Sequence, residues 1–364
     1  MNEREFSQML FRASCPNNDI LYDEKGDPSV MVFIPKFRMD QVVTGGSSRI
    51  HPAFVVNGRE RDGFYVSKYQ NCEVNGSGSS LPMKEPCNDV DIVMSLEKSG
   101  TKGAGWHLMT VQEWGALALW CKRNDFLPYG NNDHGKDKRE RIFRAVPAAW
   151  ENGRAKRVLT GSGPLTWSHD GTAAGVWDLN GNVSEWVGGV RFVYGELQLL
   201  PDNDGADVRN IRDDAWRAVD AATGSYVIPD GKGTTPGTVK AEYESEPFDF
   251  AGWGSHWVFT GRELTGRADT LRRCDMSSIL VDESVGPDAK ELLVALGLVY
   301  DEPFYDYKEQ YAYLNNGCPE AFMYRGGYWA SGAFAGVFCW SCCWGKGHPY
   351  EGNGFRTCYI PLVE

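Results

Sequence analysis

The chain has 364 residues, 42% of them hydrophobic and 24% charged, which is ordinary for a globule and supplies enough apolar material for a sizeable core. Its formal net charge of −12, with no long Lys/Arg run to offset it, argues against a non-specific nucleic-acid binder. The 42 Gly and 13 Trp point to a loop-rich fold packed on aromatic anchors rather than on long helices.

The opening MNEREFSQMLFRASC holds no apolar core of signal-peptide length, and no later stretch approaches the ~20 apolar residues of a membrane span. Synthesis in the cytoplasm without membrane insertion is expected, with display on a phage particle or a bacterial surface left open. The ten cysteines follow no repeated spacing and are expected to remain thiols. Phe6, Met9, Leu10 and Ala13 share one helical face, predicting an amphipathic helix over 3–13 within an N-terminal extension 1–28. That helix is fitted to dock on its own domain or to self-associate with a neighbouring subunit.

Residues 14–28 read as polar turns, Val30–Pro35 as a buried strand ended by proline, and 59–70 as strand material around Phe64, Val66 and Tyr69. Ser77–Ser80 reads as a flexible turn. The clearest helix lies within GAGWHLMTVQEWGALALWCKRN, residues 103–124. Thr110 is a fitting N-cap, Glu113 its capping-box partner, and Trp114, Leu117, Ala118 and Cys121 follow at helical spacing. The lone His107 before it is expected to be packed rather than catalytic. The basic stretches 136–144 and 154–157 are interrupted by Asp137, Glu140 and Glu151 and read as a solvated face.

In GVWDLNGNVSEWV, residues 175–187, the run Asp178-Leu179-Asn180-Gly181-Asn182 is turn chemistry, and Glu185-Trp186 re-enters apolar structure. The segments at 105–114 and 178–186 resemble the Leu-Pro-Thr-x-x-Glu-Trp and Gly-Asn-x-x-Glu-Trp signatures of the formylglycine-generating-enzyme subclass of C-type lectin folds. Met109 stands where that family usually has proline. The resemblance implies an α+β C-type lectin fold with long loop insertions, and oxygen ligation of calcium by Asn182 and Glu185. The other reading of these two residues is that they tie the turn to the arginine of the closing Gly-Phe-Arg. Residues 194–310, with a helix signalled over 287–298, read as an insertion within a lectin-like domain spanning 29–364.

The chain closes on RGGYWASGAFAGVFCWSCCWGKGHPYEGNGFR, residues 325–356. Trp329, Phe338, Trp340, Trp344, Gly354, Phe355 and Arg356 form a frame of large or special residues. Between them stand Tyr328, Ala330, Ser331, Phe334, Cys339, Ser341, Cys343, Gly345, Gly347, His348 and Tyr350, a set without common size or charge. Tyr, Ala, Ser, Phe, Cys, Gly and His all have codons differing from an Asn codon only at its two adenines. Trp, Lys346 and Glu351 do not. The frame RGG-x-W-x-x-G-A-x-A-G-V-F resembles the variable region of diversity-generating retroelement variable proteins, in which adenine-directed mutagenesis rewrites Asn codons.

That resemblance implies a non-enzymatic receptor-recognition protein. Its diversified side chains would meet an unknown protein or surface ligand, with no cofactor required. The alternative is a copper-dependent formylglycine-generating oxidase. Its thiol pair would fall at residues 331 and 336, which are Ser and Gly here, and neither is a soft metal ligand. A zinc site from Cys339, Cys342, Cys343 and His348 is a further chemical option. No P-loop, G-x-S-x-G or Rossmann glycine pattern occurs.

Overall fold

A computed structural model describes residues 2–142, 144–245, 254–302 and 310–362. The chain is mixed α+β, with two principal sheets and a few helices. The smaller sheet is antiparallel and runs in the order Asn18–Tyr22, Pro28–Pro35, Gly63–Ser67, Thr357–Tyr359 and Trp106–Leu108. The penultimate stretch of the chain is thereby inserted between strands from its first third.

The larger sheet runs Arg272–Asp275, Tyr311–Leu314, Gly336–Trp344, Ala321–Gly326, Ser184–Val193, Glu196–Leu199, Lys240–Glu244, His256–Thr260 and Leu280–Val281. It is mixed rather than purely antiparallel, because Tyr311–Leu314 pairs parallel to Gly336–Trp344 and Leu280–Val281 parallel to His256–Thr260. Segments from 194–310 thus extend the sheet that carries the closing stretch.

The helix Val111–Arg123 forms as its sequence requires. The Thr110 side chain accepts from Glu113 N, and the Glu113 carboxylate accepts from Thr110 N at 2.9 Å. Trp114, Leu117, Ala118 and Cys121 are buried, and the Trp114 indole donates to Val337 O at 2.7 Å, seating the helix on Gly336–Trp344.

Three local readings differ from expectation. Residues 18–22 form a strand because Ile20 and Tyr22 find partners at Val30 and Pro28, a pairing that short polar sequence does not advertise. Ser77–Ser79 is a buried strand, where a side chain on Gly78 would collide with the Phe355 ring. The helix Ile92–Gly100, with Asp91 as N-cap, escaped the sequence reading because few of its residues are buried.

The N-terminal helix Glu3–Ser14 docks by its polar side. Arg12 pairs with Asp19, Gln8 Nε2 donates to Ile20 O, and Arg4 lies over the Tyr22 ring. Its apolar stripe of Phe6, Met9 and Leu10 faces outward, each about half exposed. No helix among the described residues is long and apolar enough to cross a membrane.

Candidate functional site

The closing stretch is held by two arginines with different partners. Arg325 is fully buried and faces no carboxylate among the described residues. Its guanidinium donates to Leu296 O and Gly297 O at 3.1 Å each, capping the carbonyl end of the helix Pro287–Ala295 where the helix dipole favours a cation. Gly326 and Gly327 follow at φ 87° and 77°, and a side chain on Gly327 would strike Ala335. That tight passage turns the chain out of Ala321–Gly326 and through Trp329 toward Gly336–Trp344.

Arg356 is the second anchor, also fully buried, and lies against the Glu185 carboxylate. Asn182 Oδ1 accepts from Asn131 Nδ2 at 3.1 Å and Val158 N at 2.8 Å, while its amide donates to Gln70 Oε1 at 2.9 Å. Both Glu185 oxygens accept from Arg356, and one also accepts from Gln70 Nε2 at 3.0 Å. Calcium does not fit these two residues: their oxygens already have protein donors, and a divalent cation would face the guanidinium at close range. Their geometry is that of a tie between the turn and the closing Gly-Phe-Arg. Gly354 belongs to the same tie, since a side chain there would meet Cys87 O at 2.4 Å.

The strand Gly336–Trp344 is interior to the large sheet, so its two faces meet different surroundings. Phe338, Trp340 and Cys342 point into the main core, where Trp340 stacks on Phe192 and donates to Leu298 O at 3.3 Å. Cys339, Ser341 and Cys343 lie on the opposite face. They are buried rather than displayed, a correction to the sequence expectation. The cause is the neighbouring strands: Ser341 is in register with Tyr313 on one side and Tyr324 on the other, and Tyr324 Oη lies 3.2 Å from Cys343 Sγ. The two tyrosines stand taller than the small residues between them.

Around this floor the remaining candidates are half-buried or exposed. Phe334 stacks on Tyr311 at 4.0 Å, with Arg273 over both rings. Tyr328 meets Tyr350 edge-on at 6.0 Å, and its backbone N donates to Ser331 Oγ. Ala330, Gly347 and Tyr350 are exposed, and Ser331, Gly345 and His348 intermediate. Trp329, Phe338, Trp340 and Phe355 are buried beneath. Trp344 is not: it is 38% exposed and stacks on His348 at 3.9 Å, joining the surface it was expected to support. Lys346 reaches toward Glu320, and Glu351 is paired with Lys156 at 2.6 Å.

Sequence reasoning missed Arg273, Tyr311, Tyr313 and Tyr324. The alternation of Tyr311-Ala312-Tyr313-Leu314 was the available signal for a strand with one aromatic face.

The zinc option is not brought together, because Cys342 lies on the face opposite Cys339 and Cys343 and its thiol donates to Ala321 O. Burial pushes the Cys339 and Cys343 thiols up to about 12, so neither is a ready thiolate. At the oxidase positions, Ser331 Oγ is engaged by Tyr328 N, and a side chain on Gly336 would meet Gln310 Oε1 at 2.3 Å. Among the described residues the one cluster of metal-ligating types is His107, Glu113 and Cys358, all fully buried. There His107 Nε2 lies 2.8 Å from Glu113 Oε1 and Nδ1 3.0 Å from Gly105 O, a self-satisfied ion pair that tightens the capping box.

The chain is similar in structure to PvdO from Pseudomonas aeruginosa, with 13% identity, 93% of this chain and 97% of that chain covered and a TM-score of 0.37. It is also similar to the Major Tropism Determinant U1 variant, with 12% identity, 95% of this chain and 72% of that chain covered and a TM-score of 0.30. No family model and no curated protein sequence matches it.

Proposed function

We propose that this chain is a non-enzymatic recognition protein. It presents the aromatic face around Gly336–Trp344 to a protein or surface ligand and requires no cofactor. The observation that carries the reading is the flanking of Ser341 by Tyr313 and Tyr324, with Tyr311, Phe334, Tyr328, Tyr350 and Trp344 around them. Tyr and Trp offer large contact areas with few rotatable bonds, and small residues between them make the depressions that a partner's side chains fill. Arg273 adds a cation beside the stacked Tyr311 and Phe334.

Diversification fits this surface at its rim, namely Tyr328, Ala330, Ser331, Phe334, Gly345, Gly347, His348 and Tyr350, and less well at Cys339, Ser341 and Cys343, which have little room to grow. The oxidase alternative lacks thiols where it needs them. Two experiments test the reading. The DNA flanking the gene should hold a near-copy of the 325–356 coding repeat that differs from it at adenines. A ligand recovered by screening bacterial cell surfaces with the intact chain should lose binding to a variant in which Tyr328, Phe334 and Tyr350 are replaced by Ser. A recovered ligand that binds both chains equally refutes the assignment of this face.

A further inference from the structure

A cavity of about 190 Å³ lies between the strand Pro28–Pro35, the helix Val111–Arg123 and the turn 169–174. None of its walls belongs to the aromatic face described above. Val32, Ile34, Phe37 and Trp120 supply apolar walls, and Trp120, more than a third exposed, stacks on Phe37 at 5.9 Å. The polar residues of the lining are Asn17, His169 and Asp170.

His169 is 95% buried (5% exposed), and its Nδ1 accepts the backbone N–H of Val176 at 2.7 Å. That bond fixes the tautomer: Nδ1 is the bare nitrogen, and the proton sits on Nε2. Burial holds the imidazole pKa down at about 4, so the ring is neutral near pH 7. With the Nδ1 edge turned to the Gly175–Val176 backbone, Nε2 is left toward the cavity, and no described residue accepts from it. Nε2 is not sealed from solvent, so the acceptor of a bound molecule would take the place of water there. Asp170 contributes negative charge to the same wall, its Oδ1 held by Thr172 N and Oγ1 at 2.9 Å each.

We propose that this cavity binds a small neutral molecule, one aromatic ring with a short substituent that carries a hydrogen-bond acceptor, and that the His169 Nε2–H recognises that acceptor. Size sets the first limit, since an apolar cavity of roughly 150 Å³ takes a benzene ring. Charge sets the second, because Asp170 repels an anion. The donor sets the third, since an apolar ring without an acceptor leaves Nε2–H unpaired.

The test titrates the full chain at pH 7 with acetophenone, with ethylbenzene, which has a similar shape but no acceptor, and with benzoate, followed by NMR at the Trp120 indole N–H. Acetophenone should give a saturable shift, with ethylbenzene about tenfold weaker and benzoate weaker still. His169→Asn keeps an acceptor for Val176 N–H and removes the donor, so it should abolish the preference for acetophenone over ethylbenzene. Ala174→Phe should fill the cavity and remove both. The proposal is overturned if acetophenone gives no saturable shift in the wild type, if benzoate binds as well as acetophenone, or if the preference survives in His169→Asn. Because these readouts do not involve the aromatic face, their failure leaves the recognition reading untouched, and the reverse also holds.

Discussion

Arg356 and Glu185 meet as a fully buried bidentate pair, with Nε to Oε2 and Nη2 to Oε1 both at 2.8 Å. The same guanidinium also donates from Nη1 to Ser67 O at 2.8 Å and from Nη2 to Trp177 O at 2.9 Å, so one side chain ties the small sheet, the 175–187 turn and the closing stretch together. Removing either partner strands a charge in the interior. Glu185→Ala and Arg356→Ala should each cost about 3–5 kcal/mol in urea unfolding. A loss under ~1 kcal/mol would show that the tie is dispensable.

The frame and the rim of the closing stretch should respond differently to substitution. Replacing Tyr328, Phe334 and Tyr350 together with Ser forfeits three aromatic contacts of about 0.5–1.5 kcal/mol each, to Tyr311, to Trp329 and between Tyr328 and Tyr350, and little core volume. Trp340→Ser empties a fully buried site and should cost about 3–5 kcal/mol or more. Thermal melts should place the triple variant within several degrees of wild type and Trp340→Ser far below it. Equal collapse would mean that these three aromatics belong to the core.

Burial raises the Asp178 carboxyl from the ordinary 3.8 to about 6, with Gly161 N donating to one oxygen and the other left without a partner. A raised carboxyl means that the folded chain binds the extra proton between these values, so stability falls as pH rises through that window. Asp178's share is on the order of 2–3 kcal/mol between pH 4 and pH 7. Asp178→Asn should remove this share, so that the difference in unfolding free energy between variant and wild type grows with pH over that range. A pH-independent difference would place the carboxyl in an ordinary environment.

For His107, burial opposes the charge, but Glu113 at 2.8 Å outweighs it and the imidazole pKa is raised; burial likewise opposes ionisation of Glu113, and His107 outweighs it, lowering that pKa. The His107 contribution to stability is therefore complete below its unfolded value of ~6.5 and lost as pH rises through the folded one. Glu113's is present above its own unfolded value and lost as pH falls through the depressed folded one. At pH 7 both ring N–H protons of His107 should be visible by NMR, bonded to Glu113 and to Gly105 O. A single ring N–H would show the neutral form.

Incubated with copper and a cysteine-containing sulfatase-type peptide, the chain should form no formylglycine, because residues 331 and 336 are Ser and Gly and the Cys339 and Cys343 thiols stand near 12. Turnover above the metal-only control would reverse the non-enzymatic assignment.

The sequence alone determined the features whose cause is local. The Thr110–Glu113 capping box, the helix it starts, the glycine pair after Arg325 and the burial of Trp329, Phe338 and Trp340 all follow from spacing, φ preference and side-chain volume. The tie between the 178–186 turn and Arg356 was one of two readings open in the sequence. The structure chose it, because hydrogen bonds from Arg356 and Gln70 occupy the Glu185 oxygens. Which small residues lie under the surface was decided only by tertiary structure. Cys339, Ser341 and Cys343 alternate correctly for an outward face, yet the tyrosines that cover them come from strands that arrive in register through long-range pairing. The outward turn of Phe6, Met9 and Leu10 was decided in the same way. A helical wheel fixes which residues share a face, but the partners of Arg12 and Gln8 on the first strand decide which face turns inward.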